Sequence, residues 1–157
     1  MMTKSISDQE LTDKAIRYCN YRPRCSREVF QKLKGLGASD DTASKIISKL
    51  VKIQLLDDEY FAISFAAGKF RNNKWGRIKI QFELRSKGIK EPIVKKAINS
   101  IDEEEYMETL ASVAKVKLNG IKTNEKRVRF QKTMQYLTSK GYESSIAGKV
   151  LNDLLAQ

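Results

Sequence analysis

The amino-acid sequence predicts an all-α protein, built from three tandem three-helix repeats that form an elongated, curved molecule. The main observation is a leucine followed four residues later by a glycine, a pair that occurs three times, at intervals of 51 and 53 residues. After each glycine, apolar residues recur at offsets typical of one face of a helix. Between these segments lie glycine, proline and polar residues, without the two-residue turns typical of β-hairpins. The three pairs are Leu33 and Gly37, Leu84 and Gly88, and Leu137 and Gly141.

The first repeat is predicted to span residues 1–56. Ser7 and Glu10 have the spacing of a capping box, so a helix is expected over about 7–21. A second helix ends at the first glycine of the pattern, and Ser39 can cap the third.

The second repeat, predicted over 57–101, begins with a helix at 58–71. Glu91 can cap its third helix, and Pro92 suits the first turn, where its missing N–H is not needed. The third repeat is predicted over 102–157, with a helix at 103–118 and Ser144 as a cap, so the same order of elements is expected a third time.

Residues 77–84, RIKIQFEL, pose a choice between strand and helix. Their strict alternation is typical of a half-buried strand. The aligned segments SREVFQKL and QKTMQYL have apolar residues at helical spacing, so a helix is predicted here as well. On that helix Ile80 and Leu84 form one apolar stripe, and Ile78 and Phe82 a second one well apart from it. We expect the first stripe to enter the core, and the second to dock against a flanking repeat or, failing that, against a partner.

The charge of the chain favours an anionic partner. It has 30 Lys and Arg, 19 Asp and Glu and no His, for a formal net charge of +11. Such an excess favours nucleic acid or an acidic protein surface, although a basic surface can also serve solubility alone. The two cysteines are too few for a disulfide framework and, without His, do not form a zinc site. We expect a cytoplasmic protein with neither a signal peptide nor a membrane span.

Three segments, met in order along the chain, resemble one known family. They are RPRCSREVFQKL (22–33), LLDDEYFA (55–62) and WGRIKIQFELRSKGI (75–89). Together they resemble the motifs of the RecX family of bacterial regulatory proteins, across about residues 10–101. Two residues depart from the family pattern. Cys25 stands where the family usually has an N-cap serine; because a thiol is a poor cap, Ser26 could cap the helix instead and shift its start by one residue. Gln54 replaces an expected glycine.

The resemblance implies a modulator of the RecA recombinase. Such a protein lies in the groove of the RecA filament on DNA and inhibits recombinase, ATPase and coprotease activities. We also predict a monomer that contacts DNA through the filament and needs no cofactor. A direct DNA- or RNA-binding protein is the alternative, because three-helix modules with basic faces are common duplex readers.

Basic residues cluster once in each repeat. Residues 69–96 hold ten Lys or Arg and two Glu, residues 115–140 hold eight and one, and residues 11–34 hold seven and two. We predict that these clusters bind the filament, with more weight on arginine because its guanidinium can pair two ways with phosphate or carboxylate. Solvation of exposed helix faces is the simpler alternative, and a lone tryptophan often packs on its own domain. The predicted binding residues are Arg22, Arg24, Arg27, Arg71, Lys74, Trp75, Arg77, Lys79, Arg85, Lys87, Lys126, Arg127, Arg129 and Lys132.

Paired acids at Asp57 and Asp58 could bind a metal or act in acid–base chemistry. No histidine or phosphate-binding glycine loop accompanies them. We therefore predict that they cap a helix and complement its dipole, as do the acids at 103–105. Without a nucleophile–base pair, a P-loop or a zinc ligand set, the protein is predicted not to be an enzyme.

Overall fold

A computed structural model describes residues 6–157, and this range contains nine α-helices and no β-strand. The predicted all-α class is confirmed, and the helices form three successive three-helix units. The helices are α1 Asp8–Tyr21, α2 Ser26–Gly35, α3 Asp40–Lys52, α4 Asp58–Asn73, α5 Arg77–Ser86, α6 Glu91–Asn99, α7 Glu103–Asn119, α8 Lys126–Ser139 and α9 Ser144–Ala156.

The segment RIKIQFEL is helix α5, as predicted. Ile80 and Leu84 are fully buried, as are their counterparts in the other units. The other stripe is exposed, however: 50% of Ile78 and 68% of Phe82 face solvent. The prediction that this stripe docks against a flanking repeat is wrong, because the neighbouring units contact α5 through main-chain groups near its two ends and leave this face uncovered.

Several helix starts follow their predicted caps. The Ser7 hydroxyl accepts from Glu10 N at 3.2 Å, and the Ser39 hydroxyl accepts from Thr42 N at 3.1 Å. Asp57 caps α4 by accepting from Tyr60 N at 3.1 Å. These bonds satisfy N–H groups that have no partner inside the helix.

Three helix starts differ from the prediction. Glu91 and Ser144 are the first residues of their helices, not the caps. The N-cap positions before them are Lys90 and Glu143, neither of which makes a side-chain cap bond. The Glu91 carboxylate pairs with an arginine and the Glu143 carboxylate serves another contact, described below. At α2 the helix does not shift: Cys25 remains the N-cap, without a side-chain cap bond.

Buried apolar side chains of the described residues form two clusters. One lies within the first unit, around Leu33 and Leu50. The other is continuous through the second and third units, from Phe61 to Leu151, and also includes Cys25. The chain exposes 10225 Å², whereas a compact 18.0 kDa monomer exposes about 8,000 Å². The arrangement is therefore extended rather than spherical.

The units meet at two equivalent junctions. At the first, the start of α2 lies against the end of α5: Arg27 Nη1 donates to Ser86 O at 3.0 Å, and Cys25 Sγ lies 3.8 Å from Lys87 O. Asp58, predicted to serve its own helix, instead accepts from Ser26 N at 2.7 Å. The first unit is thus joined to the second mainly by polar contacts.

At the second junction, the start of α5 lies against the end of α8. Gly76 N donates to Lys140 O at 2.7 Å, and Ile78 N donates to Gly141 O at 2.9 Å. The Tyr106 hydroxyl accepts from Arg77 N at 3.1 Å, in the same role that Asp58 has at the first junction. Each junction therefore brings the positive end of one helix dipole to the negative end of the next.

Replacing Cys25 with serine is expected to remove an alkaline loss of stability. Burial, above all, raises the pKa of the Cys25 thiol from 9.0 to about 11, and the side chain of Glu28 adds to the shift. Between roughly pH 9 and 11 the unfolded chain therefore loses this proton first, and the free energy of unfolding falls as the pH rises. Serine also supplies a cap worth about 0.5–1 kcal/mol. Urea unfolding of the two proteins from pH 8 to 10.5 measures both effects.

The matched control is Cys19→Ala, which leaves the first junction unchanged and should keep most of the alkaline decline. An identical pH slope in the wild-type and Cys25→Ser proteins would contradict the assignment.

Candidate binding surface

Two of the predicted arginines are engaged inside the fold. The side chain of Arg24 is 7% exposed; its Nε donates to Tyr18 O at 3.1 Å, and its guanidinium lies 3.7 Å from the centroid of the Tyr18 ring. Arg77 has a side chain only 17% exposed, at the second junction. Neither guanidinium is positioned to meet a large external partner.

Arg77 is held by several groups at once. Its Nη1 donates to Glu103 Oε2 at 2.8 Å, and its guanidinium lies 3.8 Å from the centroid of the Tyr106 ring. Its Nε lies 3.0 Å from Glu143 Oε2, an ion-pair distance, although the N–H does not point at that oxygen in a hydrogen bond. Burial acts to lower the pKa of Arg77, but the hydrogen bonds to Glu103 and Tyr106 and the charge of Glu143 outweigh it and raise that pKa.

Tyr106 completes this buried group. Its ring is fully buried, and its hydroxyl donates to the carboxylate of Glu143. Burial and this hydrogen bond raise the pKa of Tyr106 well above its ordinary value. Glu143 therefore holds both the tyrosine and the arginine of the junction, which explains why it does not cap α9.

Most of the other predicted arginines also have partners within the chain. Three form ion pairs with glutamates: Arg22 with Glu28, Arg71 with Glu105 and Arg85 with Glu91. Two donate to backbone carbonyls: Arg27 to Ser86 O and Arg129 to Leu118 O. Within residues 6–157, Arg127 is exposed and has no ion pair.

The predicted lysines present a different picture. Among the described residues, no acidic group lies within ion-pair distance of four of them, and Lys87 lies 4.0 Å from Glu28 Oε1. The positive charge available to a partner is thus carried mainly by lysine, and we build the proposed surface on the lysines. The four are Lys74, Lys79, Lys126 and Lys132.

Trp75 lies at the centre of a group of aromatic rings and amines on the second unit. It is half-buried, and its centroid lies 6.4 Å from that of Phe65 in an edge-to-face arrangement. The amines of Lys69 and Lys79 lie 4.9 and 4.6 Å from the Trp75 centroid, and that of Lys87 lies 5.7 Å from Phe65. We call these five residues the lysine–aromatic cluster. The tryptophan packs on its own unit while part of its ring and the amines around it remain accessible.

Two members of this cluster are not among the predicted binding residues. Lys69 lies within one of the basic segments, and Phe65 is an apolar residue of α4. Their spacing of four residues on α4 places them on the same helix face, and this signal could have found them.

The exposed pair Ile78 and Phe82 lies on the same helix as Lys79, between basic residues at both ends of α5. Such a surface can bury apolar area while amines meet negative charge. In residues 6–157, no group of three or more His, Cys, Asp or Glu could hold a metal ion. None of the helices in that range is both long and apolar enough to cross a bilayer.

The fold and this surface define a helical-repeat protein whose outer face combines basic, aromatic and exposed apolar side chains. Family models for the first, second and third three-helix domains of RecX match residues 12–50, 57–98 and 103–151, respectively. The chain belongs to the RecX family.

Individual relatives agree with this assignment. The Regulatory protein RecX of Prosthecochloris aestuarii is 30% identical over 143 residues, which cover 91% of this chain and 92% of the relative. That of Clostridium tetani is 29% identical, and the match covers 90% of this chain but 65% of the longer relative. The crystal structure of RecX from Lactobacillus salivarius superposes with a TM-score of 0.88 at 25% identity, covering 96% of this chain and 97% of the other.

Proposed function

We propose that this protein is a regulatory protein that binds the RecA filament on DNA and restrains its recombinase, ATPase and coprotease activities. The observation that carries the proposal is the match of its three units, in order, to the three RecX domains. It acts in the cytoplasm as a monomer, and it reaches DNA through the filament.

The second unit supplies the contact with the recombinase. The exposed faces of Ile78 and Phe82 bury apolar area against a protomer, and the lysine–aromatic cluster meets acidic or phosphate groups beside it. Arg24 and Arg77 are left out of this surface because both hold the fold together. The extended shape lets the three units contact the filament over a longer span than a compact protein of this mass.

Replacing Ile78 and Phe82 together with serine is expected to weaken filament binding by tenfold or more while leaving stability nearly unchanged. Both side chains are exposed in the isolated protein, so their loss changes the free energy of unfolding by only about 0.5 kcal/mol. At an interface, loss of a buried aromatic anchor often costs about 2 kcal/mol or more. Co-sedimentation with RecA assembled on DNA measures binding, and strand exchange measures inhibition.

The matched control replaces Val51 and Ile53, an exposed apolar pair of the first unit, with serine. This variant should bind and inhibit as the wild-type does. Undiminished inhibition by the Ile78 and Phe82 variant would remove this face from the site. A wild-type protein that binds bare DNA and leaves strand exchange untouched would overturn the proposed function.

A further inference from the structure

The third unit carries a lysine-lined groove outside the lysine–aromatic cluster. It lies between α7 and α8, with Tyr136 shared by two adjoining hollows of about 420 and 740 Å³. Among the described residues, every charged side chain that lines either hollow is a lysine, and none is acidic. These lysines are Lys74, Lys117, Lys122, Lys132 and Lys140.

Tyr136 forms an aromatic wall between these amines. Its ring lies 4.8 Å from Lys117 Nζ and 5.6 Å from Lys140 Nζ, measured to the centroid. The ring is half-buried, and Val116 beside it is 72% exposed. An apolar wall next to concentrated positive charge is thus accessible from solvent.

Three of these five lysines have counterparts at equivalent positions in the second unit. The buried pairs Ala66 and Ala114, and Phe70 and Leu118, align α4 with α7 and superimpose Lys69 on Lys117. The glycines at the ends of α5 and α8 align these two helices in the same way. That alignment superimposes Lys79 on Lys132, and Lys87 on Lys140.

In both units these lysines lie near aromatic rings, although the rings are at different positions: Phe65 and Trp75 in the second unit, Tyr136 in the third. Lys74 lines the groove of the third unit and directly precedes Trp75 of the lysine–aromatic cluster, so the two sites adjoin.

We propose that this groove is a direct binding site for single-stranded nucleic acid, with one base stacked on Tyr136 and flanking phosphates held by the lysines around it. Aromatic rings stack on any base, and basic grooves follow the backbone. A duplex does not fit this chemistry because its bases are already stacked and cannot reach the ring. An acidic peptide would use the amines but would leave the ring without a role. This groove binds a bare strand without RecA, in addition to the contact with DNA that the protein makes through the filament. The proposal therefore does not depend on the function proposed above.

The test is fluorescence anisotropy of the full chain with a labelled oligothymidylate of roughly ten nucleotides, within the usual site size. Tyr136→Leu should weaken binding about 5- to 100-fold, whereas Tyr136→Phe, which keeps the ring, should bind as the wild-type does. An abasic strand of equal length should bind the wild-type and Tyr136→Leu proteins equally. Equal losses of affinity in the Tyr136→Phe and Tyr136→Leu proteins, or no loss of affinity in the Tyr136→Leu protein, would overturn the stacking role and the proposal.

The lysines are tested by salt dependence. The Lys117→Gln and Lys140→Gln double variant should lower the slope of log affinity against log salt by about 1.4, since each phosphate contact on a single strand contributes about 0.7. Lys122→Gln with Lys132→Gln, both exposed, gives a second measurement without risk to folding. The control is Lys49→Gln with Lys52→Gln, which removes the same charge from exposed positions on α3.

An equal decrease of the salt slope in the control variant would show that the strand responds to the overall positive charge of the protein and not to this groove, and would overturn the proposal. So would displacement of the strand by polyglutamate of matched charge, or no binding of the strand at low salt. RecA is absent from these experiments, so none of the three outcomes affects the result of the filament experiments.

Discussion

Replacing Gly141 with alanine is expected to destabilise the protein by roughly 3 kcal/mol. Gly141 has a φ of +96°, which an L side chain adopts only with strain. An added Cβ would also lie 2.5 Å from Lys79 N and would overlap the Lys79 side chain. Relief requires the main chain of α5 to move away from α8, which would weaken the bond from Ile78 N to Gly141 O.

The two equivalent glycines separate these causes. Gly37 has a φ of +98°, but an added Cβ would meet no described atom within 4 Å, so Gly37→Ala should cost only about 1 kcal/mol of backbone strain. Gly88 has a φ of +78°, and its Cβ would lie 2.9 Å from Arg27 Cδ, a flexible group that can move. We expect the losses to increase from Gly37 to Gly88 to Gly141.

Urea unfolding followed by Trp75 fluorescence and by circular dichroism measures the series. Equal losses at the three glycines would mean that backbone strain alone sets the cost. That outcome would contradict the close approach described for the second junction.

Replacing Arg77 with methionine is expected to cost about 2 kcal/mol of stability. Loss of one partner of a buried ion pair costs about 3–5 kcal/mol, and the partial exposure of Glu103 lowers that figure. Methionine keeps much of the side-chain volume but leaves the half-buried Glu143 without its cation and removes the guanidinium from the Tyr106 ring. Thermal and urea unfolding measure the loss.

Arg85→Met is the matched control on the same helix. Arg85 makes two short hydrogen bonds to Glu91, of 3.0 and 2.6 Å, but about half of each side chain is exposed. Such a solvent-exposed pair contributes little to stability despite its good geometry. A double variant with Glu143→Gln should recover part of the loss at Arg77. Equal losses at Arg77 and Arg85, or no recovery, would refute the assigned role of the junction.

The parts of the fold that the sequence predicted are those set by local periodicity. The glycine spacing identified the repeats, and the aligned segments correctly made RIKIQFEL a helix, because side chains one turn apart share a face whatever they later contact. The cap at Ser39 was likewise a local property. Glu91 and Ser144 failed as predicted caps because each is the first residue of its helix. The Glu91 carboxylate pairs with Arg85, and Glu143, at the cap position of α9, contacts Arg77 and Tyr106 instead.

The candidate surface was less predictable because it depends on contacts between residues that are distant in the sequence. The preference for arginine rested on what a guanidinium can do, but Arg77 and Glu143 are 66 positions apart and meet only after two units have docked. The exposed stripe of Ile78 and Phe82 was visible in the sequence, but its solvent exposure depended on where the neighbouring units attach. Lys69, in contrast, could have been identified from its spacing to Phe65.

The repeated junction also gives the array a direction and two unfinished ends. The middle helix of each unit packs its N-terminal end against the C-terminal end of the middle helix of the next unit. The start of α2 therefore meets the end of α5, and the start of α5 meets the end of α8. At one end, Gly37 has the backbone conformation of the other two glycines, but no described atom occupies the space where a docked helix would lie. At the other end, Glu125 makes no side-chain cap bond at the start of α8. The geometry of the junction therefore does not limit the number of units to three, and the same contact can be repeated in either direction to build a longer protein.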